Sequence, residues 1–153
     1  IDNNQELQIS IKNRLITDNL NKQNVAILNF ERSGIPVQHS ESLTQKLITK
    51  MINQKKYTVV ERIQMDKILK EQKFQHSGCT DKECAVKIGQ LLNVDYIVVG
   101  QISQLESIFS VDARLINVSS GEAVTSAEFN SSKGVEFLLT DGMSSIAKQL
   151  CTD

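Results

Sequence analysis

The stretch DYIVVG, residues Asp95–Gly100, decides the fold because it is apolar almost throughout. A short run of this kind is typical of a central strand that is covered on both faces of a sheet. The following segment, Phe109–Leu115, alternates apolar and polar residues, which predicts a strand with one face in water. Ser119–Gly121 predicts a tight turn in which Gly121 takes a positive φ, and Glu122–Phe129 returns as the partner strand. Together these segments predict an antiparallel meander.

The segments on either side of this meander show helical spacing or short apolar runs. The predicted helices span Glu6–Leu20, Ser40–Asn53, Glu61–Gln72, Asp81–Leu92 and Val135–Leu150, and the first two strands span Val25–Phe30 and Tyr57–Val60. Strands separated by helices, followed by a meander, predict a single-domain α/β fold, an αβα sandwich. Its mixed sheet would have about five strands. Residues 1–22 are predicted to form an N-terminal helix packed on, or extending from, an α/β domain at 23–153.

The composition excludes several functional classes. The 153 residues carry a net charge of −1, whereas domains that bind phosphate backbones usually have a clear basic excess. Aromatic residues make up 5% and tryptophan is absent, which argues against a carbohydrate or base-stacking platform. No apolar run approaches the roughly 20 residues that span a bilayer. Because the chain begins at Ile1, we expect that a preceding segment has been removed.

Two cysteines, Cys79 and Cys84, lie five residues apart at the start of a predicted helix. Thr80 and Glu83 match a capping box with Thr80 as the N-cap, which places the cysteines at N′ and N4, where side chains normally meet. The pair is then a disulfide, a reduced apolar staple or half of a metal site. We favour the disulfide, which would indicate an oxidising compartment. Cys151 is predicted to be a buried or free thiol.

No motif for phosphate binding, zinc hydrolysis or a nucleophilic serine is present in the sequence. His39 and His76 lie in polar surroundings without an obvious catalytic partner, so both are interpreted as solvent-exposed. Glu61 and Arg62 begin a predicted helix. For these two residues, we predict either a structural role or a partner-binding role. We therefore predict no catalytic, cofactor-binding or metal-binding residues and no cofactor.

Four segments form an ordered set: VAILNF (25–30), YTVVERIQMDKILKEQ (57–72), CAVKIGQLLNVDYIVVGQI (84–102) and SVDARLINVSSGEAV (110–124). This set resembles the CsgG-like family of bacterial envelope proteins, which includes the curli secretion lipoprotein CsgG and, more distantly, lipoprotein activators of penicillin-binding proteins. The family positions expected to be structural are Glu61, Arg62, Gly89, Asp95, Gly100, Arg114 and Gly121.

The resemblance implies a sandwich of the anticodon-binding-domain type, located in the periplasm or held at the outer membrane by a lipid anchor. It further implies a non-enzymatic accessory protein that binds envelope proteins, or copies of itself, during assembly or secretion. The chain departs from CsgG in having no room for extra transmembrane β-hairpins and no N-terminal lipidated cysteine. A secretion-channel subunit is the alternative, and a nucleotide- or RNA-binding module is a weaker one. We expect no nucleic-acid partner, and membrane contact only through a removed anchor. The exposed residues of the first helix and a loop at Ser103–Ser107 are the expected docking surfaces.

Overall fold

The structure is a computed structural model that describes residues 3–72 and 81–152, without the side chains of residues 14–21. The helices are α1 (Asn3–Asn21), α2 (Val37–Gln54), α3 (Arg62–Glu71), α4 (Lys82–Leu92), α5 (Val135–Phe137) and α6 (Met143–Leu150), with a π-helical turn at Leu138–Gly142 before α6. The strands are β1 (Asn24–Ile27), β2 (Glu31–Ser33), β3 (Thr58–Val59), β4 (Tyr96–Leu105), β5 (Ile108–Asn117) and β6 (Ala123–Ser131). The predicted fold class is confirmed.

The described strands form one mixed sheet in the order β3-β1-β4-β5-β6, and β2 pairs with β4 beyond the end of β1. The pairs among β1, β2, β3 and β4 are parallel, whereas β4, β5 and β6 form the predicted antiparallel meander. The prediction of about five strands missed β2, because Glu31–Ser33 carries no apolar alternation. Gly121 takes φ +73° in the β5–β6 turn, as predicted. Its N–H donates to the carbonyl of Asn117 at 2.7 Å.

The two faces of the sheet are covered by different helices. On one face, Leu43 and Leu47 of α2 and Ile146 of α6 belong to the same buried cluster as Val98 and Leu115 of the sheet. On the other face, Met65 and Leu69 of α3 and Ile88 of α4 cluster with Ile97 and Ile116. Alternate residues of β4 and β5 therefore feed two separate cores, which is the αβα arrangement.

A one-residue bulge separates β1 from β2. Ile27 pairs with Val98 and Glu31 with Gln101, so four steps on one strand match three on β4. Two buried side chains of α2 bind the displaced backbone of Phe30: its N–H donates to Thr44 Oγ1 at 3.2 Å, and its carbonyl accepts from Ser40 Oγ at 2.8 Å. The bulge is thus fixed from the helix above it, and it explains why the predicted strand Val25–Phe30 ends at Ile27.

The free edge of β6 is occupied at its centre by a side chain of α6. The N–H of Glu128 donates to Gln149 Oε1 at 3.1 Å, and Gln149 Nε2 donates to the carbonyl of Glu128 at 3.0 Å. The amide of Gln149 thereby makes the two hydrogen bonds that a residue of a neighbouring strand would make. The side chain is held in place by a further bond from Nε2 to Ser145 Oγ at 3.0 Å.

The N-terminal helix α1 presents apolar side chains to solvent. Leu7, Ile9 and Ile11 are 58%, 60% and 47% exposed, and none of them belongs to either core cluster. The division of the chain at residue 22 stays a prediction. At the other expected docking surface, the structure corrects the sequence analysis: β4 runs to Leu105, so Ser103–Leu105 is strand and only Glu106 and Ser107 form the turn.

Candidate interaction surface

The strands β4, β5 and β6 extend past the helices on one face of the sheet. Near one end of this face, Ile97, Val99 and Ile116 are buried under α3 and α4. Farther along the same face, side chains at every second position are exposed or half-buried. We call this group the open face; it comprises Gln101, Ser103, Leu105, Ile108, Ser110, Asp112, Arg114, Ser126, Glu128 and Asn130. No helix among the described residues packs over it.

The charged centre of the open face contains two carboxylates and one cation. Asp112 lies directly opposite Glu128, and Arg114 lies opposite Ser126 in the same strand pair. Like charges that face each other across two strands destabilise a sheet, and Arg114 lies at the adjacent same-face position of β5. Gln101 is on the other side of Asp112 and carries no charge. The centre of the open face is therefore net acidic.

The tip of the β4–β5 hairpin supplies an apolar rim. Leu105 pairs with Ile108, and the two side chains are 79% and 46% exposed. They line a surface concavity of about 500 Å³ together with Ser103, Glu106, Ser110 and Asn130. Two of the lining side chains are bonded to each other, since Ser110 Oγ donates to Asn130 Oδ1 at 2.6 Å. A large apolar side chain in this position is available to a partner and contributes nothing to either core.

The helix cap next to the cysteines differs from the prediction. The N-cap of α4 is Asp81, whose side chain accepts from the N–H of Cys84 at 2.7 Å. The proposed cap at Thr80 is therefore wrong by one residue, because the carboxylate of Asp81 is the acceptor and its charge also suits a helix N-terminus. Cys84 then occupies N3 and Glu83 occupies N2, so Cys84 is not at the predicted N4 position. Cys79 and Thr80 lie outside the described residues, and the Cys79–Cys84 disulfide stays a prediction.

Cys151 is a free, half-buried thiol. Its Sγ lies 3.6 Å from Sδ of Met51 in α2. Burial raises the pKa of the Cys151 thiol, and the nearby charge of Lys56 lowers it by less. The raised pKa keeps the thiol protonated at neutral pH, which is the behaviour of an inert core cysteine.

The described residues contain no group of three or more His, Cys, Asp or Glu side chains that could hold a metal ion. Within the same part of the chain, no helix is both long and apolar enough to cross a bilayer. His39 lies on the exposed side of the first turn of α2, and His76 is outside the described residues. Among the described residues, the open face is thus the candidate site that the geometry offers.

A family model for the curli production assembly/transport component CsgG matches residues 5–110, more than half of the chain. The chain belongs to the CsgG family. The matched segment runs from α1 into the start of β5, so it covers the parallel half of the sheet and leaves β6 and α6 outside. No curated protein is detectably similar to the chain in sequence.

Solved structures similar to this CsgG-family chain include the LpoB C-terminal domain from Salmonella enterica, with a TM-score of 0.58 and 16% identity over 71% of this chain and 82% of that one. The PelC dodecamer from Paraburkholderia phytofirmans is similar with a TM-score of 0.58 and 14% identity over 86% and 89% of the two chains. Lipoprotein GNA1162 from Neisseria meningitidis gives 0.57 and 13% over 78% and 92%. At these identities, the similarity concerns the fold.

Two glycines at positions of the CsgG-family pattern lie where a side chain would not fit. A Cβ on Gly89 would lie 2.5 Å from Cγ2 of Val118, and a Cβ on Gly100 would lie 2.4 Å from Cε2 of Phe30 and 2.6 Å from the carbonyl oxygen of Asp112. Gly89 lets α4 approach the end of β5, and Gly100 lets the Phe30 ring lie directly on β4. Both residues act through packing.

Asp95 ties three strands of the CsgG-family fold together. Its Oδ2 accepts from the N–H of Asn24 at 2.9 Å, and its own N–H donates to the carbonyl of Asn24 at 3.0 Å. Its carbonyl accepts from the N–H of Val118 at 3.0 Å. The residue therefore fixes the start of β1 and β4 against the end of β5, and its carboxylate is used inside the fold.

The remaining CsgG-family positions separate into two locations. Glu61 is the N-cap of α3 without a side-chain capping bond, and Arg62 is the first residue of that helix and is half-buried. Arg114 lies on the open face beside Asp112. The alternation in the sequence predicts the water-facing side of β5, but the Asp112–Glu128 pair was missed because it depends on the register of β6. The turn at Ser119–Gly121 was the available sequence signal, but the irregularity between Leu115 and Ile116 shifts the register and is visible only in the structure.

Proposed function

We propose that this protein is a non-enzymatic accessory protein of the bacterial cell envelope that binds protein partners during the assembly or secretion of envelope components. The observation that carries the proposal is the match of residues 5–110 to the family of an assembly and transport component. The proposed location is the periplasm or the periplasmic side of the outer membrane. The similarity to a protein described as a lipoprotein is consistent with an anchored form.

The arrangement of the described side chains supports a binding role. The family positions Gly89, Gly100 and Asp95 are used for packing and strand alignment. By contrast, the open face keeps exposed polar and apolar residues on the most extensively paired strands of the sheet, β4 and β5. A rigid strand surface with exposed side chains is well suited to hold contact residues in fixed positions.

The location is tested by expressing the protein from its own gene in its own cell and fractionating the cells. We expect the protein in the periplasmic or outer-membrane fraction, and recovery in the cytoplasm would overturn the proposal. In the same sample, alkylation without reductant followed by digestion reports on the cysteines. The peptide containing Cys79 and Cys84 should be unalkylated and lighter by two hydrogen atoms, whereas Cys151 should be modified after unfolding.

The binding role is tested with a photo-crosslinking amino acid placed in living cells at Gln101 or Ser126 of the open face. We expect a discrete adduct at these positions. Thr49, exposed on α2, is the matched control position and should give none. Adducts of equal yield at all three positions would indicate random encounters and would count against a specific surface.

A second candidate function is that of an oligomeric, channel-type subunit. The observation that favours it is the similarity to a chain that forms a dodecamer. It predicts a molar mass that increases with concentration in light scattering. A constant monomer mass up to the millimolar range would exclude it for this chain.

A further inference from the structure

We propose that the open face binds an extended, basic protein segment that carries an apolar side chain about four residues away from its positive charge. The inference rests on the proposed function and names the chemistry of the partner. Three features of the described residues lead to it: the uncovered part of the sheet, the unbalanced charge on that part, and the apolar pair at its rim.

The uncovered part of the sheet lies on one face of β4, β5 and β6. On the opposite face of the same strands, Leu115 and Val111 are buried and Phe109 near the hairpin tip is half-buried. On the open face, burial stops after Val99 and Ile116, although β4 and β5 continue for six and eight further residues, to Leu105 and back to Ile108. The strands thus extend well beyond the helices that cover this side, and they carry side chains that the domain itself does not use.

The charge of the open face determines the sign of the charge that a partner should carry. Asp112 and Glu128 face each other, Glu106 lies in the adjoining turn, and Arg114 is the one cation of the open face. A lysine or arginine placed over Asp112 and Glu128 would relieve their mutual repulsion and gain attraction from both carboxylates. An acidic partner would add repulsion to a pair that is already unfavourable. The complementary partner is therefore basic.

The hairpin tip selects an apolar contact. Leu105 is 79% exposed, and Ile108 beside it lines the concavity of about 500 Å³. Exposed apolar side chains next to a concavity are typical contact points for an inserted side chain of a partner. Asn130 Oδ1 and Ser110 Oγ are bonded to each other, so an entering apolar group does not leave these two atoms without a hydrogen-bond partner.

The distance between these two contact points gives the spacing within the partner. The Leu105–Ile108 pair and the Gln101–Asp112 pair are four residues apart along β4. Four residues of extended chain correspond to about 13 Å. In an extended partner segment, residues four apart point to the same side, so one segment can place an apolar side chain at the tip and a lysine over the carboxylates.

The probe is an acetylated, amidated nonapeptide of serine and threonine with one leucine and one lysine four positions later. Its matched control has the lysine three positions after the leucine, which turns the charge to the opposite side of an extended chain. Each peptide is titrated into the ¹⁵N-labelled full chain at low salt, and binding is followed through amide chemical shifts. We expect shifts confined to β4, β5 and β6 with the first peptide, and affinity about fivefold weaker with the control.

Variants of the protein locate the binding. The double variant Asp112→Asn/Glu128→Gln should weaken binding of the first peptide about fivefold or more and remove its salt dependence. Leu105→Ser, or Ile108→Thr if the first does not fold, should weaken it by a similar factor. The control Glu41→Gln/Glu71→Gln removes two exposed carboxylates elsewhere and should leave binding unchanged.

Equal affinity for both peptides, shifts outside the three strands, or variants without effect would overturn the inference. Concentration-dependent line broadening on the open face without peptide would identify a second copy of the chain as the occupant and would overturn it too. These outcomes are separable from failure of the proposed function. If the protein is found in the envelope but the probe does not bind the open face, only the inference fails. If the protein is recovered in the cytoplasm, the proposed function fails.

Discussion

The two faces of the central sheet are built from the same strands and are used in different ways. Under α2 and α6, alternate residues of β4 up to Ile102, and those of β5, are buried or half-buried, whereas under α3 and α4 they are buried only near Ile97 and Ile116. The difference shows how one strand can serve both stability and recognition. Val111, Ala113 and Leu115 are buried and stabilise the fold, while Asp112 and Arg114, which alternate with them, remain exposed to a partner.

The largest expected effect is the removal of a buried side chain from the face under α2 and α6, which we call the closed face. Leu47→Ala in α2 deletes a side chain with 0% exposure, and we expect a loss of about 3 kcal/mol in the free energy of unfolding. Leu105→Ala, with the same change in volume but 79% exposure, should cost less than about 0.5 kcal/mol. Urea denaturation of both variants measures the contrast. Equal losses would show that the hairpin tip is part of a core.

A close second is Gly100→Ala. The new methyl group would meet the Phe30 ring on the closed face and the backbone of Asp112, which cannot move away without disturbing β5. We expect a loss of about 3 kcal/mol, at the upper end of overpacking effects. Gly89→Ala meets only the side chain of Val118 and gains helix propensity of about 1 kcal/mol, so its loss should be smaller. If Gly89→Ala proves the more damaging, the contact of α4 with β5 is tighter than that of Phe30 with β4.

The bulge between β1 and β2 gives an intermediate effect. Thr44→Val keeps the side-chain volume but removes the acceptor for the N–H of Phe30. A buried unsatisfied N–H costs about 1–3 kcal/mol, so the midpoint of urea unfolding should fall clearly. Thr49→Val on the exposed side of the same helix is the control and should change it little. Thr44→Ser, which retains the hydroxyl, should recover part of the loss.

A small effect of opposite sign is expected on the open face. Asp112→Asn removes one of two facing carboxylates and should stabilise the fold by about 0.2–1 kcal/mol at low salt, with the gain shrinking as salt is added. Glu71→Gln, exposed at the end of α3, serves as a comparison without a facing carboxylate. Destabilisation by Asp112→Asn would mean that Arg114 and Asp112 are coupled strongly enough to outweigh the repulsion from Glu128.

The smallest expected effect on stability concerns Cys151, which packs against the core of the closed face. Because burial raises its pKa, the folded state holds the thiol proton more tightly than the unfolded state does. This contribution to stability is complete below the ordinary thiol pKa and is lost as pH rises through the raised value. The alkylation rate of Cys151, read from a digest, should reach half its maximum at a higher pH than that of a free cysteine. In Cys151→Ala, the corresponding alkaline decline in stability should disappear.

Much of the fold could be predicted from the sequence because its elements have clear patterns. The apolar run at Asp95–Gly100, the alternation at Phe109–Leu115 and the turn at Gly121 indicated the meander that the structure confirms. The strand β2 could not be found, because its three residues depend on pairing with β4 beyond a bulge and not on their own composition. The polar continuation of β4 to Leu105 was missed for the same reason.

Side-chain roles were harder to predict than the elements. Thr80 and Asp81 are adjacent residues that can both cap a helix, and the choice between them depends on the path of the incoming chain, which the sequence does not specify. The facing pair Asp112–Glu128 requires the register of β5 against β6, and one irregularity shifts that register. Gln149 gave no sequence signal at all, since its partner is the backbone of a distant strand.

The bond between Gln149 and Glu128 bears on how copies of this chain can associate. A sheet grows by adding strands at its edges, and an edge that already has its central N–H and C=O occupied is a poor template. At the opposite end of the sheet order, β3 offers two residues, which is too short to guide a new strand. Crowding of many copies would therefore bring their faces and helices together, and would favour reversible packing over the growth of a continuous β-structure.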